Sequence, residues 1–341
     1  MKYKKTISVL LCLFLIATFT SAIGYNLLFN HPFHIEKSTY LYIDKDDTID
    51  SVYTKLESRL NATTLRGFRL LSSVYGYQDQ IHSGAYKIAP EYTTWQTFHR
   101  LRHGMQTPVR LTIPSVRTLD KLVKTVSKQI MADSASLSGL LNDSIFYTHL
   151  GYNSNTLPAL FIPNTYEVYW TISPKQFIER MQKEHKRFWN EERMKKAQSI
   201  GLTPVEVTTL ASIVEEETIK KSEKPMVAGL YINRLHKGMP LQADPTVKFA
   251  LQDFTLKRIL YKHLECESPY NTYKNPGLPP GPIRIPSIDG IESVLNYTRH
   301  NYLYMCAKED FSGYHNFAEN MTKHLQNAAR YQRELNKRNI H

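Results

Sequence analysis

Cysteine is scarce in this chain, three residues in 341, and its placement is as telling as its number. Cys12 sits inside an apolar run, which leaves only Cys266 and Cys306 for a disulfide. Two free thiols are the simpler expectation, and a cysteine-stapled scaffold is excluded. No His pair at metal-ligand spacing stands near either cysteine, so no metal site and no cofactor is expected. The chain has no internal repeat, no low-complexity tract and no dominant block of Lys or Arg. The net charge of +12 is scattered through amphipathic segments as solvated helix faces. It suits a polyanionic surrounding such as a membrane face or an acidic polymer, and speaks against nucleic acid as a partner.

Charge is also missing from Thr6 to Phe29, directly after the basic stub Met1-Lys2-Tyr3-Lys4-Lys5. About 20 apolar residues cross a bilayer as a helix. Lysines before the run and none directly after it place the stub inside and the remainder outside. The expected location is therefore a single-pass inner (cytoplasmic) membrane protein with its bulk on the periplasmic, extracytoplasmic side. The alternative is a cleaved signal peptide, because Thr20-Ser21-Ala22 has the small residues of a cleavage site. Continuation of the run through Ile23, Leu27, Leu28 and Phe29 favours a retained anchor.

With 42% hydrophobic and 22% charged residues, the exported part is an ordinary globular chain with room for two modest domains. Asn30 to Lys37 reads as a linker. Thr39 to Ile43 alternates like a strand, and Asp47 can cap a helix from Thr48 to Leu60. A second helix starts near Thr64 and breaks at Gly76. Ser83 to Ile88 reads as turn and strand, and Thr93 to Arg102 as a helix. This strand–helix–helix–strand order, with its Ser83-Gly84-Ala85-Tyr86-Lys87-Ile88 segment, resembles a LysM-type module that binds N-acetylglucosamine-containing glycans. A ligand-free small α+β domain fits the same order. Val109 to Ile113 predicts a strand, Thr118 to Ile130 a helix, and Ser134 to Asp143 surface helix and turn.

Leu160 to Trp170 mixes aromatics with Pro163-Asn164-Thr165, which suits either a sugar-stacking wall or a buried corner. A helix follows with several start signals together: Thr203 as N-cap, Pro204 at N1 and Glu206 at N3 complete a capping box, and Leu202 with Val207 forms a staple. Along it Val207, Leu210, Ala211 and Val214 make an apolar stripe, with Ile213 at its edge, and the helix ends in Glu215-Glu216-Glu217. At 3.6 residues per turn, Glu217 falls roughly 50° from the stripe's centre. Glu216 falls on the far side, where Lys220 can pair with it, and Glu215 lies between. A carboxyl beside an apolar stripe loses solvation and gains proton affinity, as a general acid requires. The helix from Val227 to Leu235 stops before Gly238. Gln242, Asp244 and Thr246 then alternate on an extended run. Gly277 to Pro286 is too proline-rich for regular structure. Met321, Leu325, Ala328 and Leu335 mark a C-terminal amphipathic helix.

The segments Leu210-Ala211-Ser212-Ile213-Val214-Glu215-Glu216-Glu217-Thr218, Tyr231 to Leu235 with Gly238 to Val247, Tyr270 to Tyr273 with Gly277 to Ile283, and His315-Asn316-Phe317 occur in an order that resembles the endolytic murein transglycosylases of the MltG (YceG-like) family. The resemblance covers about Asn155 to Leu335. It implies an α+β fold with a transmembrane helix (6–29) after a stub (1–5), a LysM-like module (38–108), a connecting subdomain (109–154) and a larger mixed α+β catalytic domain (155–341). It implies a lyase that cleaves the N-acetylmuramic acid–N-acetylglucosamine bond of nascent glycan strands, leaves 1,6-anhydro ends and limits strand length. The catalytic acid would be Glu217, with Gln242, Asp244, Asn271, Thr272, Tyr273, His315 and Asn316 as sugar-binding candidates. Ile162-Pro163-Asn164-Thr165 departs from the family's Phe-Pro-Asp-Thr, so any charge role of that aspartate is absent or moved here. Two other classes remain open: a silent peptidoglycan-binding scaffold that recruits wall synthases, and a hydrolase that uses Glu215 or Asp244 as a second carboxylate.

Overall fold

The computed structural model describes residues 2–256 and 258–338, without the side chains of Lys2, Lys4 and Lys5. Met1 of the basic stub and residues 339–341 of the expected catalytic domain lie outside the described residues, as does Lys257. The chain divides into two units, Met1–Leu111 with Glu167–Ile172, and Thr112–Tyr166 with Ser173–His341. Helices and three two-stranded sheets (β1-β2, β3-β4 and β5-β6) make a mixed α+β fold.

The first unit opens with the apolar helix α1 (Lys2–Phe29), whose Thr6–Phe29 stretch is long and apolar enough to cross a membrane and has no buried residues in its most apolar window. Then come β1 (Thr39–Ile43), α2 (Ile49–Leu60), α3 (Arg66–Tyr75), β2 (Gly84–Ile88) and α4 (Thr94–Arg102), with β3 (Val109–Thr112) beginning at its end. β1 and β2 pair antiparallel with Leu41 opposite Tyr86. Leu41, Ile43, Tyr86 and Ile88 point inward and meet Val52, Leu56, Phe68 and Phe98 in one core. Alternation along the strand puts every second side chain into that core.

Two expectations change here. Thr48, not Asp47, caps α2, in a reciprocal box with Ser51. Asp47 instead accepts from the Asp44 backbone N–H and from Lys55. The segment from Asn30 to Lys37 is not a loose linker: Phe33 is buried and bridges to Ala62, and the His34 N–H donates to Leu60.

The second unit holds α5 (Leu119–Val126), α6 (Ser134–Asn142), α7 (Ser144–His149), the start of β4 (Thr165–Val168), α8 (Pro174–Phe188), α9 (Glu191–Ser199), α10 (Pro204–Glu217), α11 (Lys224–His236), α12 (Asp244–Ala250), α13 (Tyr261–Leu264), α14 (Ile288–Leu295), β5 (Tyr304–Ala307), β6 (His315–Ala318) and α15 (Met321–Lys337). α5 stops four residues short of Ile130. On α15 the expected stripe is not buried at its start, since Met321 and Leu325 are exposed. Phe161, Ile162 and Tyr166 are buried, and the Tyr166 hydroxyl donates to the Ile162 carbonyl at 2.7 Å. Those residues therefore form the buried corner, one of the two readings of that segment.

The core of this unit is built around α10. All residues from Val207 to Val214 are buried, so the helix is covered on every side for two turns and the single apolar stripe was too narrow an expectation. Its three polar members satisfy themselves locally: Thr208 and Thr209 donate to Pro204 and Val205 carbonyls, and Ser212 to that of Thr209. The Ser212 hydroxyl also accepts from the Ile283 N–H at 3.0 Å, pinning the proline-rich segment to the helix.

Candidate active site

α10 starts as its residues dictate. Thr203 and Glu206 form the capping box, with Pro204 at the first helical position. The helix ends at Glu217, after which Thr218 turns extended (φ −142°, ψ 135°). Its last turn presents three consecutive carboxylates to three different environments.

Glu215 accepts from the Ser287 hydroxyl at 2.7 Å and from Lys224 Nζ at 3.3 Å. Lys224 is itself buried and also reaches Asp289 at 2.9 Å. Glu216 is gripped by two guanidinium groups, Arg117 through Nε and Nη2 at 2.8 and 2.7 Å and Arg284 Nη1 at 2.7 Å. This corrects the expected pairing with Lys220, which lies beyond the end of the helix and cannot keep an i,i+4 relation. Burial alone would raise the Glu216 carboxyl, but the hydrogen bonds and charges of the two arginines outweigh it and hold the group below its ordinary range.

Among the described residues no cation bonds to Glu217. The Tyr231 hydroxyl on α11 donates to its Oε1 at 2.9 Å. Burial pushes its carboxyl up to about 7, the Asp244 charge adds to the rise, and the Tyr231 hydrogen bond opposes it. Glu217 is thus set apart by burial without an ion pair, the charge of Lys248 being a smaller opposing influence. Gly290 on α14 makes the same corner possible. A Cβ there would sit 2.4 Å from Glu215 Oε2, a carboxylate tethered by Ser287 and Lys224. Gly290→Ala is expected to lower stability by about 1–3 kcal/mol through overpacking, measured by denaturant unfolding, with an unchanged m-value.

Glu217 opens into a cavity of about 330 Å³ that also exposes Gln242, Asp244, Tyr273 and His315. Asp244 is the first residue of α12, with Pro245 following in the first turn, so the extended run expected through Asp244 and Thr246 is replaced by a helix start. Gln242 precedes it in the left-handed region at φ 52°. The Tyr273 hydroxyl donates to Asp244 Oδ1 at 2.6 Å. Burial first, and then the Asp244 charge, push that phenol up, so it stays protonated as a donor.

Thr272 and Asn271 are buried and do not line the cavity. The Thr272 carbonyl accepts from Gln242 N–H and its hydroxyl from Ala243 N–H, each at 3.0 Å, while Asn271 Nδ2 donates to the Leu264 and Cys266 carbonyls. Their geometry holds the turn that carries Gln242 and Asp244. His315, on β6, gives its backbone N–H and ring Nδ1 to the buried Glu223 at 2.6 and 2.9 Å. That carboxylate fixes the ring, and His315 borders a second hollow of about 290 Å³ that Glu217 shares with Phe311 and Tyr314. Asn316 points to Glu309. Cys266 and Cys306 are free and half-buried, and Cys306 lines the Glu217 cavity.

Tyr231, Arg234 and Tyr304 also line the cavity and were not among the sequence candidates. Tyr231 lies 14 residues from Glu217 on another helix. The aromatic and basic positions of Tyr231-Ile232-Asn233-Arg234 were visible, but nothing in their spacing pointed them at Glu217.

A cavity with one uncompensated, protonatable carboxyl, a neighbouring anion and several hydroxyl and amide donors can protonate an ether oxygen and stabilise a positive centre. Comparison with known proteins agrees in kind. A protein of Bacillus subtilis (strain 168) called endolytic murein transglycosylase is 47% identical over 102 residues, 30% of this chain and 28% of its own length. A protein of the same name from Streptococcus pneumoniae serotype 2 (strain D39 / NCTC 7466) is 27% identical over 346 aligned positions, 90% of this chain and 62% of its own. The chain thus spans less than two thirds of the length of these curated relatives. The crystal structure of a yceG-like protein from Listeria monocytogenes superposes with a TM-score of 0.57 at 26% identity, covering 86% of this chain and 99% of that one. Residues 41–330 match the YceG-like family, and the chain belongs to it.

Proposed function

We propose that the protein is an endolytic peptidoglycan lytic transglycosylase with Glu217 as its single acid and base. The observation that carries this reading is the contrast within Glu215-Glu216-Glu217: two carboxylates are paired with cations, and the third faces a cavity with its proton affinity raised to about 7. Glu217 gives its proton to the oxygen joining N-acetylmuramic acid to N-acetylglucosamine, and the C1–O bond breaks. The muramoyl C6 hydroxyl closes on C1 and returns its proton to Glu217. The products are a 1,6-anhydromuramoyl end and a free N-acetylglucosamine hydroxyl, with no water consumed. Asp244, steadied by Tyr273, is suited to stabilise the positive charge that builds at C1. Gln242 and His315 are suited to meet sugar hydroxyls and amides. Asn271, Thr272 and Asn316, the remaining binding candidates, act through the turns they hold.

Asp244 in the same cavity also favours a second reading, hydrolysis with two carboxylates. Digestion of uncrosslinked glycan strands followed by mass spectrometry separates them. Anhydro ends are expected, reducing ends would replace lyase by hydrolase, and binding without cleavage would leave the scaffold that recruits synthases.

We also propose that Thr6–Phe29 is a retained anchor with the lysine stub inside and the remainder outside, which its length and hydropathy support. The β1-α2-α3-β2 order supports a LysM-like module over 38–108, followed by a connecting segment (109–154) and the catalytic domain (155–341). Glycan strands are then the substrate on the outer face of the membrane.

A further inference from the structure

α1 does not end in a flexible tether. Gly24, Leu27 and Leu28 are its half-buried positions, one helical stripe, and Leu28 packs on the core of the first unit. Gly67 on α3 receives this stripe: a Cβ there would lie 2.0 Å from the Leu27 carbonyl oxygen. Directly after α1, Asn30 bonds to Thr94 at the start of α4 through both backbone and side chain.

The length of α1 sets the depth of this junction. A bilayer core takes about 20 helical residues; counted from Thr6, these reach Tyr25. Tyr25 and Phe29, stacked at 5.0 Å and exposed, then fall at the outer interface, where aromatic rings concentrate. Leu27, and with it Gly67, lies at the same level. One and two turns past Gly67 on the same side of α3 come Leu70 and Val74, which are 49% and 68% exposed. Tyr75 follows, ringed by Trp95 at 6.3 Å and covered by the Arg102 guanidinium at 4.9 Å. α3 and α4 contain Arg66, Arg69, Arg100 and Arg102 and no acidic residue. Arg69 leans toward Glu57 and Arg100 is spent on Met105 and Thr107, whereas Arg66 is exposed one turn before Leu70 and the half-buried Arg102 lies over Tyr75 with no hydrogen-bond partner for its Nε among the described residues.

We infer that the α3–α4 face is a membrane-docking surface: Leu70, Val74 and Tyr75 seat in the headgroup layer of the bilayer that holds α1, and Arg66 and Arg102 meet anionic lipid phosphates. Apolar side chains rimmed by arginine and aromatic rings are the composition of an interfacial surface. The first unit is then held flat against the membrane and not suspended above it. The inference rests on α1 being a retained anchor.

The full chain, with its three cysteines replaced by serine, is reconstituted into vesicles of phosphatidylethanolamine with about 30% phosphatidylglycerol. An environment-sensitive fluorophore is placed at Val74→Cys or, in a second sample, at Leu13→Cys. Nitroxide lipids labelled near the headgroup are expected to remove roughly half the emission at position 74. Those labelled deep in the acyl chain are expected to quench position 13. In pure phosphatidylcholine, or with Leu70→Asp added, quenching at 74 should weaken while that at 13 stays. Quenching at 13 without quenching at 74 overturns the docking surface and leaves the anchor standing. Loss of both removes the anchor reading and the inference with it. A blue shift at 74 without lipid quenching means that a protein surface covers the site, and also overturns it.

Discussion

Glu217→Gln should reduce strand cleavage by about 10²–10⁴-fold, the usual contribution of a positioned acid and base, with the fold intact by circular dichroism. Glutamine keeps the shape and can still accept from Tyr231, so the loss reports the proton and not the packing. In the unsubstituted protein the acid form is required for the first step. Cleavage should therefore decline as pH rises through about 7, where Glu217 gives up its proton. Stability carries the same signature. The folded carboxyl binds its proton more tightly than the unfolded one, whose reference value is 4.5. Its favourable contribution is complete below 4.5 and is lost as pH rises through the folded value. Glutamine never ionises, so at pH 8 the variant should be the more stable by about 1–3 kcal/mol, and the gap should close toward pH 4.5. A thermal unfolding series across pH measures this directly. Equal stability at pH 8 would mean that Glu217 ionises without cost and is not the poised acid.

Arg234→Lys is expected to be the most damaging conservative change in the second unit. Arg234 is buried and gives Nε to the Leu303 carbonyl at 2.8 Å, Nη1 to Leu241 and Pro240 at 2.6 and 3.3 Å, and Nη2 to the Gln242 side chain at 3.3 Å. One planar group thus ties the turn before α12 to the approach of β5. A lysine ammonium offers three donors from a single point and cannot reach these acceptors together. The unmet carbonyls and displaced turn should cost about 2–4 kcal/mol, or about 5–15 °C in Tm for a domain of this size. Because the same turn carries Gln242 and Asp244, cleavage should fall as well, even well below the melting temperature. A variant with full stability would show that the guanidinium fork is dispensable.

Local chemistry was legible in the sequence, and long-range pairing was not. The start of α10 could be read from Thr203, Pro204 and Glu206 because a capping box is a contact between residues three apart. Glu217 could be preferred among its neighbours because helical geometry is fixed once the helix is known. The reason it differs was not readable. Arg117 and Arg284, which neutralise Glu216, come from 99 and 68 residues away. Proximity in sequence suggested Lys220 instead, but α10 stops before that lysine can reach back. The α12 start was missed for a related reason: alternating polar residues suggested an extended run, although Pro245 directly after Asp244 is also a helix-start signal. At α2 the expected cap, Asp47, stands one residue too early. Only Thr48 has a serine three residues on to reciprocate, and Asp47 was left to bind Lys55. Arg234 gave no signal, since a buried arginine serving carbonyls looks like any other basic residue on a helix.

Glu217 is the last residue of α10, and Glu206 sits in its first turn. Aligned peptide dipoles leave partial positive charge where the helix begins and partial negative charge where it ends. Two glutamates on one rod therefore meet opposite backbone fields, one that welcomes an anion and one that repels it. The carbonyl dipoles of the final turn add to burial in favouring a bound proton on Glu217. A stop one turn later would place Glu217 inside the rod, away from its negative end, and remove that share of its proton affinity.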